Sequence, residues 1–441
     1  MRTMGRDRYV DFLRAFSICL VVLGHWLITG LVRAPDGTIA APELLATVPW
    51  TQWLTLGFQI MPLFFLAGGH AAAGSWAGRS QPAAGWVRSR ALRLLVPTAG
   101  YAVLVLLAVG ISTALGVDRP TLALVGWALG MQFWFLPLYL LLSAATPLLH
   151  AAHRRWGVLV PVALGAASLL LGRTQLSPLN YLLVWGTAYQ LGFCWRDGQL
   201  TRRRLTAPAL LTTGAAAFAL LVGFGPYPVS LILVTGEAVS NTNPPSAAML
   251  AWVVAQTGLC LLLAPPVRRL LARDRIWRLV RPMGSASMAL YLWHMVPVLV
   301  LAAALYLTDL APEPSYGSGA WWLLRLPWLL LLAALLPLLL AALTPLNRLL
   351  ARLHTALRPT TPVGPAGLAT LTLGLALTTV ALTHWAASGF AAGGTFPLGT
   401  TLEFACGLAC LAPAGWSRGR ERSLGGKVCK RAAIPARWAD E

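Results

Sequence analysis

Two residues of the first hydrophobic segment have chemistry that such a segment does not need. In "DFLRAFSICLVVLGH", Arg14 stands near the start and His25 closes the stretch, eleven residues later. A guanidinium offers a rigid fork of donors for anions, and an imidazole can hold or release a proton near neutral pH. On a helix, eleven residues rise about 16 Å and turn about 20° past three full turns, so both side chains share one face. The segment is thus expected to carry a cation at its mouth and an imidazole near the middle of the span. Two plainer roles fit the same residues: a snorkelling anchor for Arg14 and an interhelical hydrogen bond for His25. Ionisable groups at such depth tend to face a cavity and to mark function.

Other polar groups sit inside apolar stretches. Ser287, Tyr291 and His294 in "GSASMALYLWH" step by four and then three residues, forming one polar stripe. "QFWFLPLY" sets Gln132, Trp134 and Tyr139 in an aromatic run, which an interfacial belt would also explain. "GGHAAAGSW" is a small-residue run suited to close helix packing, with His70 inside it. "VSNTNPPSA" is a polar loop in which Pro244 and Pro245 forbid a helix and Asn241 and Asn243 can bond hydroxyl-rich ligands. The six cysteines form no CxxC pair, and no metal site is expected.

The elements that must position these groups are membrane helices. The chain of 441 residues is 57% hydrophobic and only 11% charged, where soluble domains carry about 25% charge. Its mean hydropathy is +0.68. Apolar stretches predict up to twelve spans, near 12–31, 52–74, 97–117, 121–149, 157–172, 178–195, 208–225, 247–265, 284–307, 320–344, 367–388 and 396–413. The expectation is an all-α polytopic membrane protein with about 10–12 transmembrane helices. Its domains are expected as a main membrane unit over residues 1–345, two further helices over 346–413 and a basic tail over 414–441. The first span is too long for a typical signal peptide and reads as retained.

The net charge of +20 does not point to nucleic acid, because the charges fall in clusters between spans. Of the 34 Lys and Arg residues, 30 lie on alternate sides of the predicted spans that include both termini. Arg33, Arg119, Arg173 and Arg325 make up the other side. Positive charge gathers on the cytoplasmic face, so both termini are expected there, in a multi-pass protein of the cell (inner, cytoplasmic) membrane. No soluble module, protein partner or tightly bound cofactor is expected.

The chain resembles the acyltransferase-3 family of integral membrane O-acyltransferases. The resemblance rests on the Arg14 and His25 pair in "DFLRAFSICLVVLGH", on "PLFFLAGGHAAAGSW", on "RSRALRLLVP", on "FWFLPLY" and on "SMALYLWH", in family order. "SNTNPP" resembles the actinobacterial branch. The resemblance implies transfer of an acyl group, acetyl among the candidates, from a cytosolic acyl-CoA co-substrate to a hydroxyl of a glycan, lipid or small molecule. It implies His25, Tyr291 and His294 as catalytic residues, with His25 either a general base or a covalent carrier. Arg14, with Arg88, Arg90 and Arg93, would bind the donor phosphates, and Trp134, Tyr139, Asn241 and Asn243 the acceptor. The competing class is a transporter or flippase of a lipid-linked or small polar substrate. Transporters often show related halves, and "FWFL" and "YLWH" have no counterpart in the other half.

The charge split makes a direct prediction. A reporter fused after Arg204 should behave as cytosolic and one fused near Asn243 as external. Both reporters on one side would show that the segment 205–245 does not cross the bilayer as read.

Overall fold

A computed structural model describes residues 7–33, 39–357 and 364–412. The tail 414–441, with its seven basic residues and Cys429, lies outside the described residues, as do Arg2 and Arg6. Among the described residues the fold is all-α apart from one two-stranded hairpin, β1 (Val32–Arg33) with β2 (Ile39–Ala40).

The first helix, α1 (Arg8–Ile28), starts where the Asp7 carboxylate accepts from the Tyr9 N–H, satisfying one orphan donor of the first turn. After the hairpin come the short helices α2 (Leu44–Thr47) and α3 (Thr55–Phe58), then α4 (Met61–Ala77) and α5 (Ala83–Ala114). A 3₁₀ turn, Met131–Trp134, joins α6 (Arg119–Gly130) to α7 (Phe135–Trp156). Next are α8 (Leu159–Leu171), α9 (Asn180–Arg196), α10 (Thr206–Gly223) and α11 (Ala247–Leu271). The chain continues through α12 (Asp274–Trp293), α13 (Met295–Tyr306), α14 (Gly319–Ala342), α15 (Thr344–Ala356), α16 (Pro365–Ser388) and α17 (Leu398–Leu411).

All twelve predicted spans fall on helices, but among the described residues eight are long and apolar enough to cross a membrane, or up to nine with the bent pair α12–α13. The three that fall short have physical reasons. Helices α8 and α17 have 13 and 14 residues, about 20 Å against a hydrocarbon core of about 30 Å. Helix α9 has 17 residues and is buried at almost every position from Val184 to Trp195. It faces protein on all sides, so it can carry Thr187, Tyr189 and Gln190 rather than the uniform apolar surface that lipid demands.

The core is built around this central helix. At its crossing with α4, Gly69 faces the Tyr189 carbonyl, and Gly192 faces the Leu66 carbonyl and the His70 backbone. Neither position has room for a Cβ, so two backbones touch where the small-residue run of α4 meets α9. Phe65 stacks on Trp185 of α9 at 5.2 Å.

The last two helices are not peripheral. Trp385 of α16 is 1% exposed and packs edge-on against Phe133 of the 3₁₀ turn, with ring centroids 6.3 Å apart. The Phe390 N–H donates to the Gly126 carbonyl at 2.9 Å. The helices beyond residue 346 therefore brace the turn between α6 and α7.

The Gly69 crossing yields a stability test. Gly69→Ala pushes a methyl into the Tyr189 carbonyl and should cost about 1–3 kcal/mol by overpacking. Gly57→Ala, where a Cβ meets nothing within 4 Å, should be close to neutral. Thermal unfolding of the two variants in detergent reads the difference, and equal midpoints would mean the α4–α9 crossing is not backbone-tight.

Candidate active site

Helix α1 presents Arg14 and His25 on one face, as the eleven-residue spacing requires, and both are half-buried. His25 lies in the last turn of α1, so it stands nearer the end remote from Arg14 than the middle of the span. Its Nδ1 is 2.8 Å from Nε2 of His294, and the rings stack with centroids 5.0 Å apart. Two histidines separated by 269 positions in the chain thus form a directly bonded pair.

His294 is fully buried, whereas His25 keeps part of its surface accessible. The neighbours of His294 fix its tautomer. Its Nδ1 faces the carbonyls of Tyr291 at 2.9 Å and Leu290 at 3.2 Å. Carbonyl oxygens only accept, so Nδ1 carries the proton. With both rings neutral, His294 Nε2 is then an acceptor and His25 must donate from Nδ1. The remaining nitrogen, His25 Nε2, is left with its lone pair unprotonated. That arrangement, a base oriented by a second ring that is itself oriented by the backbone, has the logic of an acid–base relay.

The helix break at His294 makes this geometry possible. Helices α12 and α13 are bent by 51° there. A break inside the bilayer frees backbone groups that must find other partners. The indole N–H of Trp26, next to His25 in sequence, donates to the His294 carbonyl at 2.8 Å. Gln132 donates from Nε2 to the Leu292 carbonyl at 3.4 Å and to the Tyr101 hydroxyl at 3.5 Å. Tyr101 in turn donates to the Leu129 carbonyl at 2.9 Å, and its ring packs edge-on against Trp293 at 4.8 Å. The 3₁₀ turn and the α12–α13 bend therefore satisfy one another, and His294 is held between them.

Tyr291 is placed differently from His294 although both share the polar stripe. Its hydroxyl donates to the Gln132 carbonyl at 2.9 Å and it is 6% exposed. It ties α12 to the 3₁₀ turn rather than pointing at His25. Sequence pattern alone does not single out Trp26 and Tyr101; the one local signal is at Trp26, an indole N–H in an apolar helix beside a histidine, a donor that needs a buried partner.

Arg14 is half-buried, and its Nε is buried with no hydrogen-bond partner. Ser17, fully buried on the same helix, has an unpartnered hydroxyl. The three arginines of α5 are not one cradle. Arg88 is 6% exposed and donates to the Gly367 carbonyl at the start of α16, at 3.3 Å. Arg90 lies over the Trp86 ring at 5.0 Å, and Arg93 is exposed. At about 100° per residue, Arg88 points roughly 160° away from Arg90.

Trp134 is half-buried, 6.0 Å from the Trp185 ring. Tyr139 packs onto Gly68, where a Cβ would come within 2.8 Å of its ring, which gives that glycine of the α4 motif its reason. Asn241 is fully buried and spends its amide on the loop: Nδ2 donates to the Pro228 and Ser230 carbonyls, and Oδ1 accepts from Ser246. Asn243 is exposed and accepts from the Tyr181 hydroxyl at 2.7 Å. These contacts organise the segment ahead of α11 and none of them reaches the histidine pair.

A family model described as an acyltransferase domain, that of acyltransferase-3, matches residues 7–346. Comparison with curated proteins and with solved structures returned no match. The matched region runs from the cap of α1 to the start of α15 and contains both histidines and the helix break at His294, and the chain belongs to the acyltransferase-3 family of membrane acyltransferases.

Proposed function

We propose that this enzyme moves an acyl group from a cytosolic acyl-CoA-type donor to a hydroxyl of a glycan, lipid or small-molecule acceptor, with His25 as general base. The observation that carries this reading is the 2.8 Å bond from His25 to His294, which leaves His25 Nε2 as the open proton acceptor. In the reaction, the acceptor oxygen attacks the thioester carbonyl while its proton passes to His25 Nε2. The C–S bond then breaks, and the thiolate takes the proton back, giving ester and free thiol. His294 stays neutral throughout and accepts from His25 Nδ1–H, so it steadies the imidazolium that forms. General-base catalysis of this kind is typically worth about 10²–10⁴ in rate.

Arg14 is the donor-binding residue in this scheme, supported by its half-buried position and unpartnered Nε on the face it shares with His25. Trp134 and Tyr139 remain acceptor-side candidates, and Arg90 and Arg93 secondary donor contacts at the same end as Arg14. The main transferase unit is residues 1–345, with 346–413 as added helices and 414–441 as a basic tail, in the cell membrane with both termini cytoplasmic.

The scheme separates four variants, assayed with radiolabelled acetyl-CoA in purified membranes of matched enzyme content. His25→Gln, which keeps a hydrogen bond but no base, should fall by about 10²-fold or more. His294→Gln, whose amide oxygen can still accept from His25 Nδ1–H, should keep more activity than His294→Ala. Arg14→Ala should raise the KM for the donor, and Arg14→Lys should restore it in part, because the charge returns without the fork. Wild-type turnover in His25→Gln would sink the proposal.

Tyr291→Phe gives a separate prediction. It strands the Gln132 carbonyl, which should cost about 1–3 kcal/mol of stability, while the properly folded fraction keeps its chemistry. A loss of turnover as deep as that of His25→Gln, at unchanged melting temperature, would instead make Tyr291 catalytic.

A further inference from the structure

Behind α1, on the side away from Arg14 and His25, lies a groove of about 630 Å³ between α1, α3, α4, α10 and α11. On α1 it is lined by the stripe Tyr9, Phe12, Leu13, Phe16 and Leu20. At about 100° per residue, Arg14 and His25 lie roughly 140–160° round the helix from Tyr9, so the groove gives no access to the histidine pair. On α11 it runs from Trp252 to Val267, about 22 Å of helix and most of the hydrocarbon depth of about 30 Å. Its walls are apolar, and Phe16, Leu259 and Leu263 remain 40%, 42% and 46% exposed. At Gly57, which lines the far end, an added Cβ would meet nothing within 4 Å.

The mouth at the Tyr9 and Val267 end is strongly basic. Arg268 and Arg269 form the last turn of α11, and Arg202, Arg203 and Arg204 stand just ahead of α10. Arg268 lies over the Tyr9 ring at 5.6 Å and pairs with Asp7 at 2.7 Å, leaving its side chain 47% exposed. Arg8 pairs with Asp274 at 3.4 Å. Asp7 and Asp274 thus answer two of these arginines, and the mouth keeps an excess of positive charge. An apolar groove that runs through most of the hydrocarbon depth and ends near a cluster of arginines is complementary to one kind of molecule, a lipid with an anionic head.

We infer that this groove is a binding site for an anionic glycerophospholipid of the bilayer. One acyl chain lies between α1 and α11, and the phosphate meets Arg268 and Arg269. The site is separate from the catalytic pair, and its occupant is a resident lipid rather than a substrate.

The test uses full-length enzyme in lipid nanodiscs and in mild detergent. Native mass spectrometry after mixing with equal dioleoyl phosphatidylglycerol and dioleoyl phosphatidylcholine should show one retained lipid, with phosphatidylglycerol preferred by about tenfold or more. Arg268→Gln with Arg269→Gln should bring that preference close to parity. Gly57→Leu and Ala215→Leu, which fill the channel from opposite walls, should each reduce the retained lipid. Thermal unfolding of every variant checks that it is folded, and Gly57→Leu has open space to occupy, so one filling variant survives if the other does not. The inference is overturned if the folded protein retains no lipid, retains both lipids equally, or keeps its lipid in folded Gly57→Leu.

Discussion

A single hydrogen bond between two imidazoles organises this membrane domain. An imidazole in an apolar helix needs a partner, because an unmet polar group in hydrocarbon costs several kcal/mol. His25 finds His294, and His294 can serve only because α12 stops being a helix at that residue. The break lets its Nδ1 reach back to two carbonyls of its own last turn. Those carbonyls dictate the tautomer, and the tautomer leaves His25 Nε2 free to accept a proton. The placement of the protons on the pair is therefore set by the two backbone carbonyls that face His294 Nδ1.

Breaking a helix inside a bilayer must be compensated locally, and the surroundings of the pair are largely that compensation. Trp26 takes the His294 carbonyl, Gln132 takes the Leu292 carbonyl, and Tyr291 returns a donor to the Gln132 carbonyl. The 3₁₀ turn that carries Gln132 is itself an irregularity between α6 and α7. Two irregular segments with complementary orphan groups are more stable together than either would be against lipid. The aromatic residues Tyr101, Phe133, Trp293 and Trp385 close around this junction and keep water from competing for its hydrogen bonds. Bracing by α16 explains why helices beyond the family-matched region pack so closely on it.

The two faces of α1 differ in chemistry. One face carries Arg14, Ser17 and His25, with unpartnered polar atoms at the first two. The opposite face is the apolar wall of the groove that ends near the arginines of α11. One helix thus separates the histidine pair from the groove. Membership of the acyltransferase-3 family removes the ambiguity between transfer and transport that a count of spans leaves.

Much of this was legible in the residues themselves. The periodicity of α1 placed Arg14 and His25 on one face because helical geometry is local. The stripe of Ser287, Tyr291 and His294 was visible for the same reason, and apolar runs located every helix that the structure contains at membrane-span length. Three things needed the tertiary structure. Pairing of His25 with His294 joins residues 269 positions apart, and no local pattern encodes which stripes meet. The different fates of Tyr291 and His294 depend on the 51° bend; Pro297 leaves the Trp293 carbonyl without its helical donor and so permits a break there, but long-range packing decides what each side chain then meets. Arg88 and Asn241 look like ligand-binding residues by type, but in the fold a terminal nitrogen of Arg88 goes to the Gly367 carbonyl and the Asn241 amide to the loop before α11. Residue type and local period set which groups are available for chemistry, and long-range packing decides which of them are left unspent.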